Sequence, residues 1–211
     1  WLRTLAGRAS EAGAAFVEHR RVESIDELDA DQVVVATDGY TRGLLSELDT
    51  VVRPVRNQVV ATAPLARQLF PRPHYGRRGY DYWQQLEDGR LIAGGRRDVD
   101  PEPEDTAEEG LTPTVQAALE ALLVELLGEL PPITHRWSGI FGVTPDRMPV
   151  AGWLPTRDHV WVAAGYSGHG NVLGLACGDL VAGAILGQPD PALALFEPAR
   201  LIDADGAPNN V

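Results

Sequence analysis

Apolar residues recur with helical spacing at the start of the chain. Leu2, Leu5, Ala9, Ala12 and Phe16 lie close to a period of 3.6 residues. This spacing predicts an amphipathic helix over residues 2–18.

The next apolar runs alternate between strand and helix patterns. The segment EHRRVESIDE predicts a short strand, and the β-branched run over residues 30–36 predicts a strand buried on both faces of a parallel sheet. The following TDGYTRGLLSEL predicts the start of another helix. Helix, strand and helix in this order are typical of α/β domains, so residues 1–50 are assigned to one part of such a domain.

From Val51 the pattern changes to antiparallel strands. VVRPVRNQVVATA and YDYWQQLEDGRLIAGG predict strands, and Asp88-Gly89 predicts a hairpin turn inside the second segment. The acidic segment DVDPEPEDTAEEG predicts a solvated loop, and periodic leucines predict a helix over residues 114–127. Residues 51–140 are therefore predicted to form an inserted antiparallel layer.

The remainder of the chain returns to the first pattern. Residues 141–190 contain a predicted strand over 159–164 and a long apolar helix, and residues 191–211 form a polar tail. The predicted fold class is α/β, with α+β character in the inserted antiparallel sheet.

Composition narrows the classes of function. The 211 residues include 30 acidic and 18 basic side chains, and this net charge of −12 repels nucleic acid. Every basic side chain is arginine, which excludes Schiff-base and P-loop lysines within this chain. The single cysteine, Cys177, excludes internal disulfides and cysteine metal clusters, so we predict no metal site and a cytoplasmic location. The apolar run over residues 172–186 is too short to span a membrane.

Three glycines connect the last predicted strand to the last predicted helix. Gly165, Gly168 and Gly170 lie in the run AAGYSGHGNVLGLACG. Glycines at such a turn allow the backbone to approach a ligand, and the first N–H groups of a helix favour an anion. The spacing to Gly174 does not match a dinucleotide-binding fingerprint, so the main phosphate site must lie elsewhere.

The run AAGYSGHGN resembles the last flavin-contacting turn of the D-amino-acid-oxidase-like FAD oxidoreductases. This family includes sarcosine oxidase, glycine oxidase and gamma-glutamylputrescine oxidoreductase. Further segments match it in order and spacing: HRRVESI, VVVATDGYTRGLL, VRPVRNQVVATAPL, DGRLIAGGRRD and RWSGIFGVTPDRMPVAGW. The resemblance implies the C-terminal part of an FAD-binding Rossmann-like domain with an inserted antiparallel substrate-domain sheet.

The resemblance also implies which residues contact FAD and substrate. The flavin contacts that it implies are Val22, Ala36, Thr37, Gly39, Gly165, Tyr166, Ser167, Gly168, His169, Gly170 and Asn171. The expected lining of the substrate cavity is Tyr80, Tyr82, Trp83 and Arg96. A flavin enzyme needs chiefly orientation and a dry cavity from its protein, so no catalytic residue is assigned.

Several family positions differ in this chain. Sarcosine oxidase links its flavin to a cysteine where this chain has Gly139, which implies that FAD is bound non-covalently. Phe141, Gly168 and Asn171 stand where relatives have basic partners for a substrate carboxylate. We therefore expect an amine substrate without a carboxylate on the reacting carbon. A carboxylate bound by another arginine, Arg56, Arg77, Arg96 or Arg97, is the alternative.

The family binds the FAD pyrophosphate with a glycine-rich βαβ unit that precedes the matched segments. We expect this unit to come from a segment upstream of Trp1 or from a partner chain. The function that the resemblance implies is FAD-dependent oxidation of the C–N bond of an amine or amino-acid-like substrate. The alternatives are a flavin-free remnant or interaction module of the same fold and a flavin dehydrogenase of a hydroxy acid.

Overall fold

The computed structural model describes residues 1–209, in which two compact units are separated at Ala30. The helices are α1 (Leu2–Glu11), α2 (Pro101–Glu104), α3 (Pro113–Leu127) and α4 (Gly170–Ile185). The strands are β1 (Val33–Val35), β2 (Arg53–Pro64), β3 (His74–Gly76), β4 (Asp81–Gln85), β5 (Arg90–Gly95), β6 (Ile133–Val143), β7 (Val150–Trp153) and β8 (Val160–Ala164). None of the helices in the described residues has the length and apolar character needed to cross a membrane.

The N-terminal unit contains α1 and one short 3-10 helix. The predicted helix is confirmed, but it ends at Glu11, shortly before Gly13, which has a φ of +100°. The strand predicted from EHRRVESIDE is wrong, because Ile25–Glu27 forms a 3-10 helix. The Ser24 side chain and the Glu27 carboxylate cap this helix reciprocally, an arrangement that favours a helical turn over a strand.

The second unit contains a three-stranded sheet in the order β1-β8-β7. β1 pairs with β8 in parallel, and β7 pairs with β8 antiparallel. The expectation that residues 30–36 form a strand buried on both faces is wrong. β1 lies at the edge of this sheet, and Val34 is 44% exposed while Val35 is buried, so only one face of the strand is covered.

The segment after β1 does not form the predicted α-helix. Asp38–Tyr40 and Ser46–Leu48 are separate 3-10 turns. Asp38 has a φ of +47° and Gly43 a φ of +80°, and such left-handed backbone cannot continue a right-handed helix.

Five antiparallel strands form the other sheet, in the order β3-β4-β5-β2-β6. The predicted hairpin is confirmed, with Gly89 at a φ of +89° in the turn between β4 and β5. Helix α3 covers one face of this sheet. Their shared core consists of Val60, Leu91, Ala93, Val115, Leu119, Leu122 and Leu123.

The acidic segment before α3 contains a buried carboxylate. Glu104 is 1% exposed and accepts hydrogen bonds from Arg56 at 3.0 and 3.1 Å, from Gln58 at 2.8 Å and from Thr112 at 2.9 Å. Burial would raise the pKa of Glu104, but these donors outweigh it and lower the pKa. The solvated loop expected here therefore contains an anchor to β2, because a buried carboxylate requires charged and polar partners.

Asp38 connects the two sheets. Its Oδ1 accepts the N–H groups of Gly165 at 2.8 Å and Tyr166 at 3.2 Å, and its Oδ2 accepts the N–H of Gly142 at 3.0 Å. Gly142 lies in β6, and the other two residues follow β8 directly. One carboxylate thus holds the end of the antiparallel sheet against the end of the parallel pair.

Close packing accompanies this carboxylate. A Cβ at Gly39 would lie 2.7 Å from the backbone carbon of Phe141, and one at Gly165 would lie 2.6 Å from Thr144 Cγ2. Both distances are shorter than van der Waals contact, so the segments can approach each other only where these side chains are absent.

Substitution of Asp38 tests this connection. In Asp38→Asn, an NH2 group replaces one accepting oxygen, so at least one buried N–H loses its acceptor. We expect urea denaturation at pH 7 to show a decrease of about 1 to 3 kcal/mol in the free energy of unfolding. Asp158→Asn, the same change at an exposed position, is the control and should have little effect. Equal stabilities for the two variants would contradict the connection.

Glu47 provides a test by pH. Arg157 donates to Glu47 at 2.7 Å and Thr156 at 2.8 Å. Burial alone would raise the pKa of Glu47, but these donors hold it at about 2, below the ordinary value of 4.5. Because the folded-state pKa is lowered, the stabilisation is present above the ordinary value and is lost as the pH falls through about 2.

We expect Glu47→Gln to reduce the free energy of unfolding at pH 7 by on the order of 2 kcal/mol. The difference from the parent should shrink steadily below about pH 5. Thermal or urea denaturation across pH 3 to 7 measures this difference, with exposed Glu87→Gln as the control. A difference that does not depend on pH would show that the charge of Glu47 is unimportant.

Candidate functional site: a cleft between the glycine turn and the antiparallel sheet

The turn between β8 and α4 has the left-handed backbone that its glycines predict. The φ values are +72° at Gly165, +52° at Ser167 and +92° at Gly168. Helix α4 begins at Gly170, after His169 at the N-cap position. Within the described part of the chain, the N–H groups of Gly168 and Gly170 donate no hydrogen bond. They remain available to a ligand at a helix N-terminus, where the dipole favours negative charge.

A cleft of about 640 Å³ lies between this turn and the antiparallel sheet. The turn contributes one wall, and the sheet with its β3–β4 connection contributes the other. The residues that line it are Asp38, Asn57, Tyr75, Arg78, Gly79, Tyr80, Tyr82, Arg97, Phe141, Arg147, Ser167, Gly168, His169 and Gly170.

Several residues expected at the site lie on the cleft. Tyr80 and Tyr82 line its sheet wall, and Ser167 to Gly170 line the opposite wall. Burial raises the pKa of Tyr82, so its phenol is held neutral and can serve as a hydrogen-bond donor.

The other residues expected to contact flavin have different surroundings. Tyr166 directs its hydroxyl to the Ala163 carbonyl at 2.8 Å, and burial raises its pKa. The backbone of Gly39 packs against β6, so this glycine is required for packing between protein segments. Ala36 and Thr37 are exposed directly after β1, and Asn171 is exposed in the first turn of α4. Val22 belongs to the N-terminal unit.

Trp83 lies on the opposite face of the sheet from the cleft. Neighbouring strand residues point to opposite faces, so Tyr82 on the cleft places Trp83 against the core under α3. Its ring stacks on His74 with centroids 5.0 Å apart. The structure thus places Trp83 against the core and not among the residues that line the cleft, where it was expected.

Arg96 is also directed away from the cleft. Its guanidinium donates to Asp81 at 2.8 Å and to Glu125 at 2.9 Å. These ion pairs join β4 to α3. The Arg96 guanidinium, which was expected to bind substrate, is therefore already paired with carboxylates of the protein.

Asn57 is a cleft residue that the sequence interpretation missed. Its Nδ2 donates to the Tyr82 hydroxyl at 3.0 Å, and its buried Oδ1 has no hydrogen-bond partner among the described residues. The period of β2 could have indicated it, because Val55, Asn57 and Val59 alternate with the residues that face α3. The pairing of β2 with β6 then places Asn57 beside Gly139.

The cleft has a positive lining in an acidic protein. Arg78, Arg97 and Arg147 line it, and Asp38 is the only acid among its lining residues in the described chain. Asp38 forms no ion pair with these arginines among the described residues, and its oxygens accept three backbone N–H groups instead. The described residues contain no group of three His, Cys, Asp or Glu side chains arranged to hold a metal ion.

His169 and Tyr75 face each other across the entrance. The Tyr75 hydroxyl lies 3.4 Å from His169 Nε2, and their ring centroids are 6.1 Å apart. Both residues line the cleft, and Tyr75 is 63% exposed, so this contact lies on the solvent-facing side of the cleft and not in the core.

Comparison with known proteins identifies the family of this chain. The family model described as DAO, FAD dependent oxidoreductase, matches residues 1–184. The "Probable oxidoreductase OrdL" of Rhizobium meliloti (strain 1021) is 28% identical over 207 residues, covering 87% of this chain and 45% of that protein. The gamma-glutamylputrescine oxidoreductase of Escherichia coli (strain K12) is 30% identical over 169 residues, covering 76% of this chain and 38% of that protein.

A solved structure supports the fold. The glycine oxidase of Geobacillus kaustophilus superposes with a TM-score of 0.67 at 23% identity, covering 82% of this chain and 46% of that chain. The present chain thus spans less than half the length of each of these three proteins. The expected fold class is confirmed, because the chain combines a sheet that contains a parallel strand pair with a separate antiparallel sheet and superposes on this oxidase. The chain belongs to the DAO family of FAD-dependent oxidoreductases.

Proposed function

We propose that this chain forms the part of an FAD-dependent enzyme that faces the flavin ring and the substrate, and that the enzyme oxidises a C–N bond in an amine or amino-acid-like substrate. The observation that carries the proposal is the cleft itself, in which free helix N-terminal N–H groups face a wall of tyrosine, phenylalanine and arginine. The names of the relatives, which include a gamma-glutamylputrescine oxidoreductase and a glycine oxidase, support the substrate class.

The glycine turn fits an extended planar ligand such as a flavin. A Cβ at Gly168 would meet only Phe141 Cε2, at 3.8 Å, so the side of Gly168 that faces the cleft is open. Asn57, on the opposite wall, has a buried Oδ1 without a hydrogen-bond partner among the described residues. A buried acceptor without a protein partner is unfavourable unless a ligand or water donates to it.

Ser167 to Gly170 would hold the flavin ring by their backbone, and Ala36 and Thr37 would contact the cofactor near the end of β1. FAD, when bound, supplies the acceptor for the hydride that leaves the carbon next to nitrogen. The N–H groups of Gly168 and Gly170 would stabilise negative charge at the edge of the ring. We propose that the glycine-rich pyrophosphate site is supplied by a part of the protein other than residues 1–209 or by a partner chain.

The sheet wall would orient the substrate and exclude water. Tyr80, Tyr82 and Phe141 present large rings to the cleft, and the Asn57–Tyr82 hydrogen bond restricts the tyrosine ring. A positioned substrate in a dry cavity reacts faster because less orientational freedom is lost in the transition state.

A spectrum and a substrate panel test the proposed function. The purified enzyme should absorb in the visible region, and anaerobic addition of amines or amino acids should bleach that absorbance. Hydroxy acids of matched carbon skeleton should leave it unchanged. A colourless protein would favour a flavin-free interaction module, and bleaching by hydroxy acids alone would favour a hydroxy-acid dehydrogenase.

Substitution of Gly168 tests the flavin contact. We expect Gly168→Val to lose most bound flavin, because valine is strained at a φ of +92° and its side chain projects into the open side of the turn. Acid precipitation followed by absorbance of the supernatant measures the flavin content. Because Gly139 provides no thiol, the parent pellet should be colourless.

Gly128→Val is the matched control, since Gly128 has a similar φ of +81° and lies at the end of α3, away from the cleft. Its flavin content should equal that of the parent. Circular dichroism should show that both variants are folded. Full flavin content in folded Gly168→Val, or a coloured pellet from the parent, would contradict the proposed contact.

A further inference from the structure

The sequence left open whether any arginine binds a substrate carboxylate, and the structure separates the candidates by their partners. Arg96 pairs with Asp81 and Glu125, Arg56 with Glu104, and Arg77 with Asp81 and Asp98. These guanidinium groups are held by carboxylates of the protein itself and are not available to a ligand.

Arg97 differs from these arginines. Its side chain is half-buried and lines the cleft, yet no carboxylate oxygen of the described residues lies within ion-pair distance of it. Its Cζ lies 4.5 Å from the centre of the Tyr80 ring and 5.2 Å from the centre of the Phe141 ring. These ring faces hold the guanidinium in place while its N–H donors remain unpaired.

The surroundings of Arg97 disfavour its charge in the absence of a ligand. Burial, with a contribution from nearby Arg147, lowers the pKa of Arg97 below its ordinary value. A guanidinium remains protonated near neutral pH all the same. A partly buried cation without a carboxylate partner is stabilised by an anionic ligand, and a planar guanidinium matches a carboxylate with two parallel hydrogen bonds.

Arg97 lies on the wall of the cleft, where a bound ligand can contact it. Arg97, Tyr80 and Arg147 line both the cleft and a second cavity of about 270 Å³. The second cavity is also lined by Asp98, Glu104 and Asp105, which disfavour an anion there, so a substrate carboxylate would approach Arg97 from the main cleft.

Resting on the proposed function, we infer that Arg97 is the specificity-determining residue that binds a substrate carboxylate, so that the enzyme prefers amino acids or N-substituted amino acids to simple amines. This assignment replaces the expectation of a substrate without a carboxylate. That expectation considered Phe141, Gly168 and Asn171, whereas Arg97 approaches from the end of β5. Phe141, which stands where relatives have a basic side chain, then packs against the Arg97 guanidinium.

The test compares matched ligands on the flavin-loaded enzyme. Sarcosine is set against dimethylamine and L-proline against pyrrolidine as substrates. Pyrrole-2-carboxylate is set against pyrrole as unreactive probes, with binding followed by the change in flavin absorbance. We expect the parent to bind the carboxylate probe at least about tenfold more tightly than its neutral partner.

Arg97→Met should abolish that preference by raising the dissociation constant of the carboxylate probe without changing that of pyrrole. Arg97→Lys should restore part of it, because lysine keeps the charge but lacks the planar fork. Arg90→Met, the same change at the start of β5 where Arg90 pairs with Asp88, is the control and should retain the preference. Flavin content and circular dichroism should match the parent in each variant.

The outcomes separate this inference from the proposed function. Turnover of amines with the same carboxylate preference in Arg97→Met and the parent would overturn the role of Arg97 and leave the function standing. An Arg97-dependent preference in probe binding without oxidation of any amine would support Arg97 and overturn the function. Loss of flavin in Arg97→Met with unchanged probe preference in the flavin-loaded fraction would show that Arg97 faces the cofactor, which also overturns the inference.

Discussion

The cleft depends on one carboxylate that joins segments distant in the sequence. Asp38 follows β1, yet it accepts N–H groups from β6 and from the turn after β8. Hydrogen bonds to a charged acceptor are shorter and stronger than those to a neutral one. Three donors occupy most of the lone pairs of the Asp38 carboxylate. Asp38 has a left-handed backbone, and Gly39, Gly142 and Gly165 allow the backbones to come close. The position of the glycine turn relative to the sheet follows from this junction.

One face of the antiparallel sheet packs against the core, and the other face lines the cleft. Side-chain alternation in β4 sends Tyr82 to the cleft and Trp83 to the core, and in β2 it sends Asn57 to the cleft and Gln58 to the buried network around Glu104. The polar network on the core side fixes the acidic segment before α3 to the sheet. A rigid sheet of this kind can hold a binding wall more accurately than a loop can.

Charge is distributed unevenly in this acidic protein. Most of its partly buried arginines are neutralised by nearby carboxylates, as at Arg56, Arg96 and Arg200. Arg97, with Arg78 and Arg147, gives the cleft a positive lining within a chain of net charge −12. A local field of this sign attracts an anionic group into the cleft and orients it there, even though the protein as a whole repels anions.

Local patterns in the sequence determined the antiparallel strands, the hairpin at Gly89, helices α1 and α3 and the glycine turn before α4, because each depends on periodicity or on backbone conformation over a few residues. The family segments indicated FAD and the sides of the cleft contributed by Tyr80, Tyr82 and Ser167 to Gly170. Tertiary structure alone decided the rest. The pairing of Arg96 with Glu125, the packing of Arg97 on Phe141 and the burial of Glu104 against Arg56 all depend on partners far along the chain, and so does the side of the sheet that Trp83 occupies. The failed helix after Asp38 has the same origin, since Asp38 accepts three N–H groups from distant segments while its backbone is left-handed, a conformation that a right-handed helix cannot continue.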